Sequence, residues 1–199
     1  MLQYQNKGYT MKYTPLFRLW HWFNAIIVLG LLGTVFLRKT FLSWRTNSEI
    51  LMTKLSEIGV EITAEQAKML AKAVRAGMWE WHIILGYALA VSILFRIYLY
   101  FQDSSLKECF GSLSTHKKGV QSLYYLLYAT LLFMSVTGFT IHFYEILGLT
   151  KDFAHDIKEI HELVFNIVMI FVPIHIAGVI IAELSDEKGL VSTMINGKK

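Results

Sequence analysis

Four long apolar runs, separated by polar stretches, set the plan of the chain. The first, about 20–37, carries no charged side chain and is just long enough to cross the hydrocarbon of a bilayer as a helix. Trp20, Trp22 and Phe23 mark its entry, and Arg38, Lys39 and Trp44 its exit, as interfacial aromatic and basic residues do. The second run, about 78–101, opens on Trp79, Glu80, Trp81 and His82 and is then interrupted only by Arg96, close enough to the end to snorkel to the interface. The third covers about 120–141. The fourth covers about 159–182, with no charge from Leu163 to Ala182.

Between the first two runs the pattern weakens into short helical stripes. Glu49 to Ile58 ends at Gly59, and Thr63 with Gln66 forms a capping box ahead of Met69, Leu70, Ala73 and Val74, which lead to Gly77. The expectation is an all-α integral membrane protein, a four-helix transmembrane bundle with an extramembrane helical hairpin over about 47–77. The hairpin reads as a lid or docking platform. An even number of spans puts both termini on one side, but Lys and Arg divide equally between the two sides, so the positive-inside rule does not orient the bundle.

Composition agrees. Hydrophobic residues make up 54% of the chain, charged residues 17%, and the mean hydropathy is +0.44, which identifies one membrane domain over 1–199 with no soluble domain carrying separate chemistry. The first run lacks a small-residue cleavage pattern and is expected to stay as a span. Cys109 is the only cysteine, which excludes an intrachain disulfide, a Cys-x-x-Cys-His haem attachment and a cysteine-ligated iron–sulfur cluster. The net charge of +4 is modest and scattered, so nucleic-acid binding has no basis.

Any metal chemistry therefore rests on histidine. His161 and His175 lie fourteen residues apart in the fourth run, which is ~21 Å along a helix and nearly the same face. Topology gives each a partner at its own depth: His21 enters the first span on the terminus side, towards which His175 points, and His82 opens the second span on the side where His161 opens the fourth. An ionisable group as deep as His175 is a functional-site hypothesis by default. Each pair suits one iron held by two trans imidazoles, leaving no open position for a reactant. Gly86 and Gly178 fall on the ligand faces and would admit a flat macrocycle. Gly30 and Gly33 serve either close helix packing or the same purpose. Pro173 is expected to bend the fourth helix. Arg18, one turn before His21, suits haem propionates. On the same side, His116, Lys117 and Gln121 form a possible quinone-headgroup site.

Arg18, His21, Trp22 and Asn24 form an R-x-x-H-W-x-N opening that resembles the membrane di-haem cytochrome b subunits of nickel–iron hydrogenases, formate dehydrogenases and thiosulfate reductases. The His161 and His175 spacing is similar to that family's last helix, and Ser192, Met194, Ile195 and Gly197 are similar to the close of its hydrogenase members. The resemblance covers all four spans and implies two haem b groups. His21 and His175 would ligate the one nearer the cytoplasm, and His82 and His161 the one nearer the periplasm. It implies a multi-pass protein of the bacterial inner membrane with both termini in the cytoplasm. Its function would be electron transfer between the quinone pool and a periplasmic hydrogenase-, dehydrogenase- or cytochrome-type partner. The 40–77 segment is longer than in the usual members. Two other readings remain open: a free-standing quinol oxidoreductase passing electrons to a small acceptor such as superoxide, and a haem-free anchor or transporter whose histidines bind zinc or protons.

Overall fold

The computed structural model describes residues 13–102, 114–185 and 189–197, and within them the chain is helical. The helices are α1 (Pro15–Lys39), α2 (Trp44–Glu57), α3 (Ala64–Gln102), α4 (Thr115–His142), α5 (Lys151–Leu184) and α6 (Leu190–Asn196). Four of them, α1, α3, α4 and α5, are long and apolar enough to cross a membrane.

Local chemistry explains where these helices start. Pro15 occupies the first turn of α1, where its missing N–H costs nothing, and the Thr14 hydroxyl accepts from the Phe17 N–H at 3.4 Å. Ser114 caps α4 and Thr150 caps α5 in the same way. The capping box at the start of α3 forms as read from the sequence. The Thr63 N–H donates to Gln66 Oε1 at 2.8 Å, and the Gln66 N–H donates to Thr63 Oγ1 at 3.3 Å.

Gly77 was expected to end the surface hairpin, but α3 runs through it for 39 residues, so the second arm of the hairpin and the second span are one rod. At 1.5 Å per residue the rod is ~58 Å long, about twice the ~30 Å hydrocarbon thickness. Strong helix formers flank Gly77, and a cost of about 1 kcal/mol for one glycine does not break such a run. α2 packs along the protruding part. Ala67 and Ala71, one turn apart, are fully buried there, and Lys68 lies over the Trp44 ring at 5.6 Å. α5 likewise begins at Lys151, two turns before the apolar run, and continues through Pro173. The segment after the fourth span contains α6, set between Gly189 and Gly197, both in the left-handed region at φ 85° and 77°.

The spans pack in sequence, α1 on α3, α3 on α4 and α4 on α5, while α1 and α5 share little direct contact. Ile27 and Val28 of α1, Leu89 and Ile93 of α3, Leu131 of α4 and Val168 of α5 form the central core. Along α5 the residues at seven-residue intervals, His161, Val168 and His175, turn inward, with Val168 buried between the half-buried histidines. Leu163, Ile170, Ile174 and Ile181 lie exposed on the other side, a face for lipid rather than water. Gly30 and Gly33 have different surroundings. A Cβ on Gly30 would stand 3.0 Å from Leu85 Cδ1, which makes it a helix-packing glycine, whereas Gly33 faces open space.

Candidate functional site: two histidine pairs at opposite ends of the bundle

At the terminus-side end, His21 of α1 and His175 of α5 face each other across the gap between those helices, ring centroids 6.3 Å apart. Aromatic neighbours hold both rings. Phe171, one turn before His175, stacks on it at 5.8 Å with the planes only 10° apart, and Tyr124 of α4 meets it edge-on at 5.9 Å. Trp22 stands edge-on to His21 at 5.3 Å. His21 Nδ1 is buried with no hydrogen-bond partner. Two metal–imidazole bonds of about 2 Å each, plus two ring radii, give a centroid separation close to the one observed.

At the other end, His82 of α3 and His161 of α5 share the wall of a cavity of about 620 Å³ among α1, α3, α4 and α5. Each is held by a threonine from a different helix. Thr34 Oγ1 of α1 lies 2.7 Å from His82 Nδ1, and Thr137 Oγ1 of α4 lies 2.8 Å from His161 Nδ1. Two glycines open the wall. Gly86, one turn after His82, has nothing in front of it, and a Cβ on Gly138 would stand 3.5 Å from His161 Cε1. Arg38 donates to Glu162 at 3.0 Å and covers the Trp79 ring at 5.2 Å, while Lys158 reaches Glu162 at 3.5 Å. This charged cluster joins α1, α3 and α5 and contributes Arg38, Lys158 and Glu162 to the same cavity wall.

The structure thus brings the four histidines together in the two pairs expected from depth. Among the described residues no three His, Cys, Asp or Glu side chains converge, so each pair offers two protein donors. That donor count, the apolar cavity and the missing Cβ atoms beside two of the histidines fit a flat tetradentate macrocycle that brings four nitrogens of its own.

Two basic residues have partners that the sequence did not show. The Arg96 guanidinium lies among Phe17, Trp20 and Tyr128, 5.3, 5.5 and 5.1 Å from their centroids. Arg18 Nη1 donates at 3.2 Å to the Ile195 carbonyl near the end of α6, and its Nε is buried without a partner. Trp22 Nε1 likewise donates to the Met194 carbonyl at 3.2 Å. Glu183 holds the other end of α6, accepting from the Gly189 and Val191 N–H groups at 2.8 and 2.9 Å. Of the expected quinone cluster, Lys117 is exposed and Gln121 donates to the Tyr125 hydroxyl at 2.9 Å, with its Oε1 buried and unpartnered. The His116 side chain lies outside the described residues.

Thr34, Phe171 and Tyr124 were not singled out from the sequence. The signal for Thr34 was present: it lies thirteen residues after His21, hence ~20 Å along α1 and at the depth of the other pair.

The sequence profile described as prokaryotic cytochrome b561 matches residues 12–197, nearly the whole chain. No curated protein and no solved structure matches the chain.

Proposed function

The chain belongs to the prokaryotic cytochrome b561 family, multi-pass inner-membrane proteins that transfer electrons across the bilayer by b-type haem, and we propose that this member holds two haems, one at each histidine pair. A bound haem supplies a one-electron ferric–ferrous couple, and all else in the proposal concerns what the side chains do. His21 and His175 would hold one iron from α1 and α5, bridging the two spans that share little direct contact, and His82 and His161 would hold the other from α3 and α5. Two imidazole donors at each site would leave a reactant no place on the metal. The pairs serve electron passage rather than bond-making at iron.

The observation that carries this reading is the 6.3 Å separation of the His21 and His175 rings across the α1–α5 gap. At the His82 and His161 end the 620 Å³ cavity supports it, since its size is that of a cofactor site rather than a packing defect. Arg38, with Trp79 under its guanidinium, and Lys158 would supply cationic groups for haem propionates there, in addition to Arg18, which the sequence singled out at the other end. Arg18 keeps one unpartnered N–H for the same role while its Nη1 is engaged by α6.

The termini lie in the cytoplasm in this proposal, so the α2–α3 hairpin faces the periplasm and presents exposed apolar residues such as Ile50 and Ile58 to a redox protein. Quinone meets the opposite end, near Lys117 and Gln121 at the start of α4, and its reduction takes up two electrons and two protons from the cytoplasmic side. The test is haem content with variants of the ligands. Unaltered protein should carry two b-type haems per chain, and His175→Ala should carry one. Retention of both haems in His175→Ala would overturn the assignment.

A further inference from the structure

We infer that Thr34 and Thr137 are positioning residues that fix the tautomer of His82 and His161 and set the electron-donating strength of that pair alone. The inference rests on the two-haem proposal above.

The argument is an accounting of protons. A threonine hydroxyl carries one hydrogen, and a carbonyl oxygen can only accept. Thr34 Oγ1 lies 2.6 Å from the Leu31 carbonyl, so its hydrogen is committed to that bond. The His82 Nδ1 at 2.7 Å can then only be the donor, with the Thr34 lone pair as acceptor. Thr137 repeats the arrangement on another helix: its hydroxyl donates to the Phe133 carbonyl at 2.8 Å and accepts from His161 Nδ1, also at 2.8 Å. Both hydroxyls are part-buried inside the bundle and both threonines are among its few buried polar residues, so water does not compete for these bonds. Each neutral imidazole therefore carries its hydrogen on Nδ1 and keeps the Nε2 lone pair free for a metal.

A second partner on the distal nitrogen does more than hold the ring. An acceptor at Nδ1–H draws that hydrogen outward and makes Nε2 a stronger donor, which stabilises the more oxidised metal. The terminus-side pair is built otherwise. His21 is steadied by Trp22, and its Nδ1 is buried with no partner. The two sites are thus unequal by construction, and the threonines act on one of them.

The experiment is a spectroelectrochemical titration of the purified, haem-loaded full chain, unaltered and as Thr34→Val, Thr137→Val, Thr34→Ser and Thr137→Ser. Valine keeps the shape and removes the acceptor; serine restores it. The unaltered protein should give two midpoint potentials. Each valine variant should move one of them upward, the same one in both, and leave the other in place, and each serine variant should return it. If a valine variant loses a haem, recovery by serine at the unaltered potential supports the inference, and failure of serine to recover it overturns it. Two waves that neither valine variant moves overturn the threonine assignment alone. A single wave from a protein carrying two haems overturns the inequality of the two sites, and one haem per chain in the same sample overturns the two-haem proposal itself.

Discussion

His175 shows how the neighbours of a ligand can be as specific as the ligand. Phe171 stacks flat on its ring, Tyr124 presses on its edge, and His21 waits 6.3 Å away, so the imidazole is oriented from three helices before any metal arrives. Phe171→Ala should remove the stacking face, worth about 0.5–1.5 kcal/mol beyond its area, and so weaken retention of one haem without touching a donor atom. Haem loss to an apo-globin acceptor would rise several-fold for one of the two haems; equal loss rates would deny Phe171 this role. Glutamine 121 offers a further test. With its Oε1 buried and unpartnered, Gln121→Leu should slow quinone-linked turnover with both haems kept, as should His116→Ala, and unchanged turnover in both would remove this end of α4 from the quinone site. The histidine pairs were legible because depth and helical phase depend only on residue count. The threonine partners were harder to read, because a hydroxyl in an apolar span is usually satisfied by its own preceding turn, and both of these are. Their second contact exists only once α1 meets α3 and α4 meets α5.

Among the helices, apolar length located all four spans, but the ends differ by whole turns where the chain leaves the bilayer. Hydropathy marks where lipid ends, and a helix needs only backbone bonds and permissive residues to continue beyond it. Hence α3 starts at Ala64 and α5 at Lys151, well outside the apolar runs. The same blindness hid α6, whose seven residues are too few for a periodic signal and whose stability is borrowed from Glu183 at one end and from Arg18 and Trp22 at the other. These contacts give the Ser192 to Gly197 motif a structural purpose: it closes the terminus-side end of the bundle against α1. Glu183→Ala should therefore speed amide exchange through Leu190–Asn196 while leaving the core of α5 protected. Unchanged exchange in α6 would show that the carboxylate does not hold it.

The bundle as a whole has helix packing on three sides and, between α1 and α5, a pair of imidazoles where a fourth helix contact would be. A prosthetic group seated there would act as structure as well as cofactor, since whatever binds the folded state alone stabilises it by mass action. The haem-loaded chain should then unfold at a higher temperature than the haem-free chain, and His175→Ala should lose part of that difference. Family membership carries haem-based electron transfer across the membrane, and the two pairs at opposite ends of α5 carry the stronger claim that there are two haems. The most direct measurement is haem quantitation against protein concentration on the purified full chain, read with its reduced-minus-oxidised spectrum. Two b-type haems per chain is the predicted result; one haem, or a colourless protein, would contradict it.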